Sequence, residues 1–130
     1  MLTQTRNDAR MVRKYEHDFH ASGTGWVFAL RNRLVTQSGE LVRVHARVIE
    51  GRALLAVSVF DGQHIDEAEV PGEDRLLDAS LCIGQASRKL FLERELDPPV
   101  PFRRGLSPAL HVASADGPFK VRVVVHVRLL

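Results

Sequence analysis

The sequence predicts an all-β protein: an antiparallel β-sandwich, jelly-roll-like, with a short N-terminal arm or helix. Three observations carry that prediction. Residues 119–130, FKVRVVVHVRLL, place Phe119, Val121, Val123, Val125, Val127 and Leu129 on one side of an extended chain. Lys120, Arg122, His126 and Arg128 fall on the other side. Residues 41–49, LVRVHARVI, repeat the pattern, with Val42, Val44, Ala46 and Val48 alternating with Arg43, His45 and Arg47. Between these stretches, turn residues break the chain about every ten positions, and no helical pattern separates the strands as parallel crossovers would require.

Taken in order, residues 1–22 read as an N-terminal arm and residues 23–130 as the sandwich domain. Between a capping Asn7 or Asp8 and the Ser22-Gly23-Thr24-Gly25 break, Val12, Tyr15 and Phe19 recur at spacings of three and four, which predicts a short amphipathic helix or a mobile arm. Deleting the arm is expected to leave the sandwich folded and to weaken assembly. Residues 26–31 form the first strand, and Gln37 to Glu40 supply a turn into residues 41–49. Glu50-Gly51-Arg52 then turns the chain into ALLAVSVF, residues 53–60, a nearly continuous apolar strand. Asp61-Gly62 is a hairpin signal, because both residues tolerate positive φ.

Residues 63–70 read as a return strand closed by Pro71-Gly72. Short candidates follow at residues 76–77, 81–83 and 89–92. The three prolines of DPPVPFRRG, residues 97–105, predict a rigid crossing loop, since proline cannot donate to a ladder. Residues 106–112 form a further strand, which Pro108 assigns to an edge or a bulge. A turn over residues 113–118 then feeds the terminal strand.

A chain of 130 residues holds about one domain, with enough apolar content, 45%, for a core without staples. Its apolar runs are too short to span a bilayer, so no membrane role is expected. The charged N-terminus, MLTQTRNDARM, predicts no secretory signal. The single cysteine, Cys82, excludes an internal disulfide. The net charge of +2 is unevenly spread: residues 61–78 carry seven carboxylates against Arg75 alone. The rest is basic and mostly arginine, a bias that a GC-rich genome and a hot habitat explain equally well.

No motif assembles a catalytic centre, and neither an enzyme activity nor a cofactor is expected. His17 and His20, three apart, would share a helix face and so could bridge a metal, but no third ligand is near. The carboxylates of residues 61–78 have the spacing of a charged strand face, not of a calcium loop. Cys82 and Ser58 lie in apolar runs without the partners a nucleophile needs, and Gly23-Thr24-Gly25 reads as a hinge. If residues 41–49 and 119–130 are neighbouring strands, Arg43, His45, Arg47, Lys120, Arg122, His126 and Arg128 form a basic ribbon on one sheet face. Without aromatic stacking groups, that ribbon suits a protein partner better than nucleic acid.

A further pattern runs from Val57 to the C-terminus: VSVFDG (57–62), a polar return strand, an acidic turn before LL (76–77), PPVPF (98–102) leading into RGL (104–106), and the valine strand. It resembles small structural proteins of tailed bacteriophages. The resemblance implies a head-decoration or cement-like domain, found in the virion and, during assembly, in the host cytoplasm. The implied partners are further copies of the chain, in a symmetric homo-oligomer expected to be a trimer, and the major capsid protein or another virion protein. The acidic stretch and the charged arm depart from the family pattern. A free-standing ligand-binding sandwich of carbohydrate-binding type is the alternative, although few aromatics are placed to stack on sugars.

Overall fold

The terminal alternation is realised as a central strand. In the structure, a computed structural model, residues 11–21, 27–62, 76–77, 81–87, 91–115 and 118–129 are described. They form β1 (Val12–Ala21), β2 (Val27–Leu30), β3 (Gly39–Glu50), β4 (Arg52–Asp61), β5 (Leu81–Ser87), β6 (Phe91–Phe102), β7 (Leu106–Ala115) and β8 (Phe119–Leu129). Two four-stranded antiparallel sheets result, in the orders β1-β8-β3-β6 and β2-β7-β4-β5. Each strand of the first half pairs with its mirror in the second: β1 with β8, β2 with β7, β3 with β6 and β4 with β5. A long hairpin rolled into two layers gives this nested pairing, which is the strand order of a jelly roll.

The core lies between the inward rows of the two sheets. Val121, Val123, Val125 and Val127 of β8 are fully buried and face Val57, Val59, Leu110 and Val112 of the opposite sheet's inner rows. Each such side chain contributes about 1.5–3 kcal/mol by leaving water. On β3 the inward residues are Leu41, Val44, Ala46 and Val48. Val42 is the extra residue of a bulge, where the register to β8 shifts between Leu41 and Arg43. It therefore leaves the apolar row to which strict alternation assigns it.

The first correction concerns the N-terminal segment. Residues 12–21 are neither a helix nor a free arm; they are a strand in unbroken register with β8, from Val12 opposite Arg128 to Ala21 opposite Phe119. Tyr15, His17 and Phe19 point inward, and Phe19 is buried in the core. The polar His17 hides this period of two, and Val12, which lies on the other face, completes an accidental helical spacing. Residues 1–10 and 22–26, including the Gly23-Thr24-Gly25 hinge, lie outside the described residues.

Prolines account for two further corrections. The predicted crossing loop at residues 97–105 is largely the end of β6, whose prolines are tolerated because β6 is the outer strand of its sheet among the described residues. Its pairing with β3 jumps from Arg43–Glu95 to Leu41–Val100, so residues 96–99, with a cis Asp97-Pro98 bond, bow out of the ladder. Pro108 lies on β7, a central strand and not an edge. In a strand, the N–H and C=O of one residue point to the same neighbour. The Pro108 carbonyl accepts from the Arg31 N–H at 2.9 Å, so the missing N–H faces the side where β2 has just ended, and no β4–β7 bond is lost.

The turn expected at Glu50-Gly51-Arg52 is present, and a second glycine turn follows β6. Gly51, at φ 78°, links β3 to β4, and Gly105, at φ 100°, links β6 to β7. A Cβ on either would meet a backbone oxygen at 2.3 Å. The Asp61 carboxylate accepts from the N–H groups of Arg103 and Arg104 at 2.9–3.3 Å and so fixes the β6–β7 turn. Among the described residues β5 pairs along the other side of β4, and the return strand predicted over residues 63–70, with the hairpin it would complete, lies outside them.

Candidate functional site

The condition for a basic ribbon is met, because β3 and β8 are adjacent. Arg43 lies opposite His126, Arg47 opposite Arg122 and His45 opposite Val124, while Arg128 and Lys120 face Glu40 and Glu50. Inward valines alternate with these positions, so all seven basic residues named from the sequence share the outer face of the first sheet.

The flanking strands add what the sequence reading missed. The outer row of β1 brings Lys14, Glu16, Asp18 and His20 alongside β8, and β6 brings Glu93 and Glu95 alongside β3. Asp18 takes a two-pronged hydrogen bond from Arg122, Nε to Oδ1 at 2.8 Å and Nη2 to Oδ2 at 3.1 Å, and Lys120 approaches it at 3.7 Å. The bond from Arg122 holds the Asp18 carboxyl below its usual range, and Asp18 in turn raises the Arg122 guanidinium. Arg43 is paired with Glu93. The ribbon is therefore a mixed-charge face whose cations are partly neutralised from both sides. Asp18 was hidden by the helical reading of its segment, and Glu93 lies beyond the short strand predicted at residues 89–92.

A histidine pair occupies the centre. The His45 and His126 rings lie 5.2 Å apart between centroids, tilted by 39°. Burial, then His126, Arg43 and Lys14, push the His45 pKa down to about 4, with Glu16 opposing. Burial, Arg43 and Lys14 also lower that of His126. Both rings are thus neutral at pH 7. Among the described residues, the buried Nε2 of His126 and Nε of Arg43 have no hydrogen-bond partner. Val124, in the same outer row, is 2% exposed although it lies outside the main core. Where β6 bows away from β3, a depression of about 470 Å³ opens, lined by Val12, Val42, Arg43, Glu95, Leu96, Asp97, Pro99, His126 and Arg128.

The remaining candidates do not converge. His17 and His20 point to opposite faces of β1, so they cannot share a metal; His17 instead packs edge-on against Phe19, at 4.6 Å and 81°. Among the described residues, no group of three or more His, Cys, Asp or Glu side chains could hold a metal. Cys82 falls on β5, whose side chains lie outside the described residues, as do most carboxylates of residues 61–78. Among the described residues, no helix is long and apolar enough to cross a membrane.

Fold and face together define an eight-stranded antiparallel jelly roll with a mixed-charge outer sheet. No protein-family model matches the chain, and no curated protein matches it in sequence. Among solved structures, it is similar to a periplasmic inhibitor of g-type lysozyme from Aeromonas hydrophila, at 14% identity and a TM-score of 0.42, over 85% of this chain and 86% of the other. A protein derived from the SPBc2 prophage, YomS, aligns at 11% identity and a TM-score of 0.44, over 89% and 95% of the two chains. A mitogen from Yersinia pseudotuberculosis aligns at 13% identity and a TM-score of 0.39, over 90% and 87%. At these scores the likenesses carry no functional weight, and the fold rests on the chain's own strand order.

Proposed function

We propose that the chain is a structural component of a tailed-phage virion, a capsid decoration or stabilising protein that acts through contacts between subunits. The observation that carries this reading is the outer face of β1-β8-β3-β6, where Arg122 is held by Asp18, Arg43 by Glu93, and Val124 is buried in the same row. A groove for nucleic acid needs uncompensated cations and stacking aromatics. A face on which both signs alternate instead suits a protein surface of complementary pattern. The motifs at residues 57–62 and 98–106 support the phage assignment by analogy. Mass spectrometry of particles purified from a producing culture is expected to find the chain at a fixed ratio to the major capsid protein. Its absence from the particles would reject the virion role.

The depression beside Arg43, His126 and Arg128 favours a second reading, a free-standing ligand-binding module of carbohydrate-binding type. The depression is a concave site in which Val12, Val42, Leu96 and Pro99 stand among convergent charged groups, and convergent polar groups in a cleft are a feature of small-molecule sites. Glycan-array binding that is lost on changing Arg128→Ala would favour it over the virion role.

A further inference from the structure

The edges of the two sheets are not alike. Open edges invite pairing with other chains, and proteins blunt them with prolines, bulges or short strands. β6 carries Pro98, Pro99 and Pro101 and a broken register, and β2 spans four residues. β5 pairs with β4 through a register shift. β1 has none of these devices. It runs for ten residues without proline, its register to β8 is unbroken, and among the described residues no strand lies on its other side. Met11 and Val12, at its start, are 72% and 45% exposed.

We infer that β1 is a pairing edge for a second copy of this chain, joined antiparallel about a two-fold axis through Tyr15. Two-fold pairing sets outer rows against outer rows, so the charges of β1 select the register. With Tyr15 opposite Tyr15, Lys14 of each copy faces Glu16 of the other, and two opposite-charge pairs form. Centring on Lys14 sets like charges face to face, centring on His17 sets Glu16 against Asp18 twice, and centring on Glu16 sets Glu16 against its copy while Lys14 meets only Asp18. Asp18 is already held by Arg122 and Lys120 in its own sheet, which leaves the choice to Lys14 and Glu16. The Tyr15 register also brings the exposed Met11 opposite Phe19 of the second copy. The product is one continuous eight-stranded sheet whose two mixed-charge outer faces adjoin, a two-fold dimer and not the trimer that the family resemblance implies.

This inference deepens the self-association in the proposed function and rests on it. Its test uses the purified full chain without capsids, so it can fail while the virion role stands, and the reverse. Sedimentation equilibrium should give a monomer–dimer equilibrium. Lys14→Glu and Glu16→Lys should each raise the dimer Kd about tenfold or more, and the double reversal should restore it, because the swapped pair is again complementary. In a Cys82→Ala background, Tyr15→Cys should form an intermolecular disulfide on oxidation, whereas Glu16→Cys, offset diagonally from its copy, should not. A concentration-independent monomer, a trimer, or a double reversal that fails to recover would overturn the inference. Cross-linking through Glu16→Cys in place of Tyr15→Cys would overturn the register.

Discussion

His45 is the residue whose surroundings decide the most. It faces His126 on β8, Lys14 and Glu16 on β1, Arg43 on its own strand, and Glu93 on β6. Its folded pKa of about 4 lies below the unfolded value of 6.5. As pH falls, the unfolded chain takes up a proton before the folded one, so the neutral ring's stabilisation is complete above about pH 6.5 and is lost on the way down to pH 4. Partial exposure reduces the effect, and a loss of about 1–2 kcal/mol is expected. Urea midpoints at pH 7.5 and 4.5 should show the loss, and His45→Gln should reduce it without abolishing it, because burial also lowers the pKa values of His17, His111 and His126. Asp18, whose carboxyl is lowered, contributes in the same direction only below its own ordinary range. Pro108 gives a second test. Because its missing N–H faces past the end of β2, Pro108→Ala should change stability by less than about 1 kcal/mol. Ala109→Pro, one step along, would remove a bond to β4 and should cost about 3 kcal/mol or more by the same denaturation assay.

At the level of the element, β8 and β3 were legible because their apolar rows alternate almost without exception, and β4 because its run is apolar and bounded by Gly51 and Asp61. β1 was not, since His17 stands in its inward row and Val12, Tyr15 and Phe19 mimic a helix. β6 was obscured by prolines, whose meaning depends on whether a strand is central or outer, which no local pattern reveals. The candidate face was half legible. Its basic residues follow from alternation, but Asp18 and Glu93 join it through pairings between distant segments. The incorporation of β1 reverses one expectation. Removing residues 1–22 strips Phe19 from the core and bares β8, so the truncated chain is expected to lose its cooperative thermal transition or to aggregate. Circular dichroism and light scattering on the truncated chain would measure this, and a monomer as stable as the full chain would refute it.

For the whole molecule, the nested order β1-β8, β2-β7, β3-β6 and β4-β5 has a mechanical consequence. Val12 lies beside Arg128 at one end of the β1–β8 ladder, and Ala21 beside Phe119 at the other. A force applied between residues 12 and 128 opens that ladder from one end, so its bonds give way in succession like the teeth of a zipper. Applied between residues 12 and 119, the same force slides the strands lengthwise and loads every bond at once. Optical-tweezer attachment at the first pair of positions should release the fold at clearly lower force than at the second. The fold is thus soft to traction in one direction and stiff in another, and a tether's point of attachment sets which response it meets.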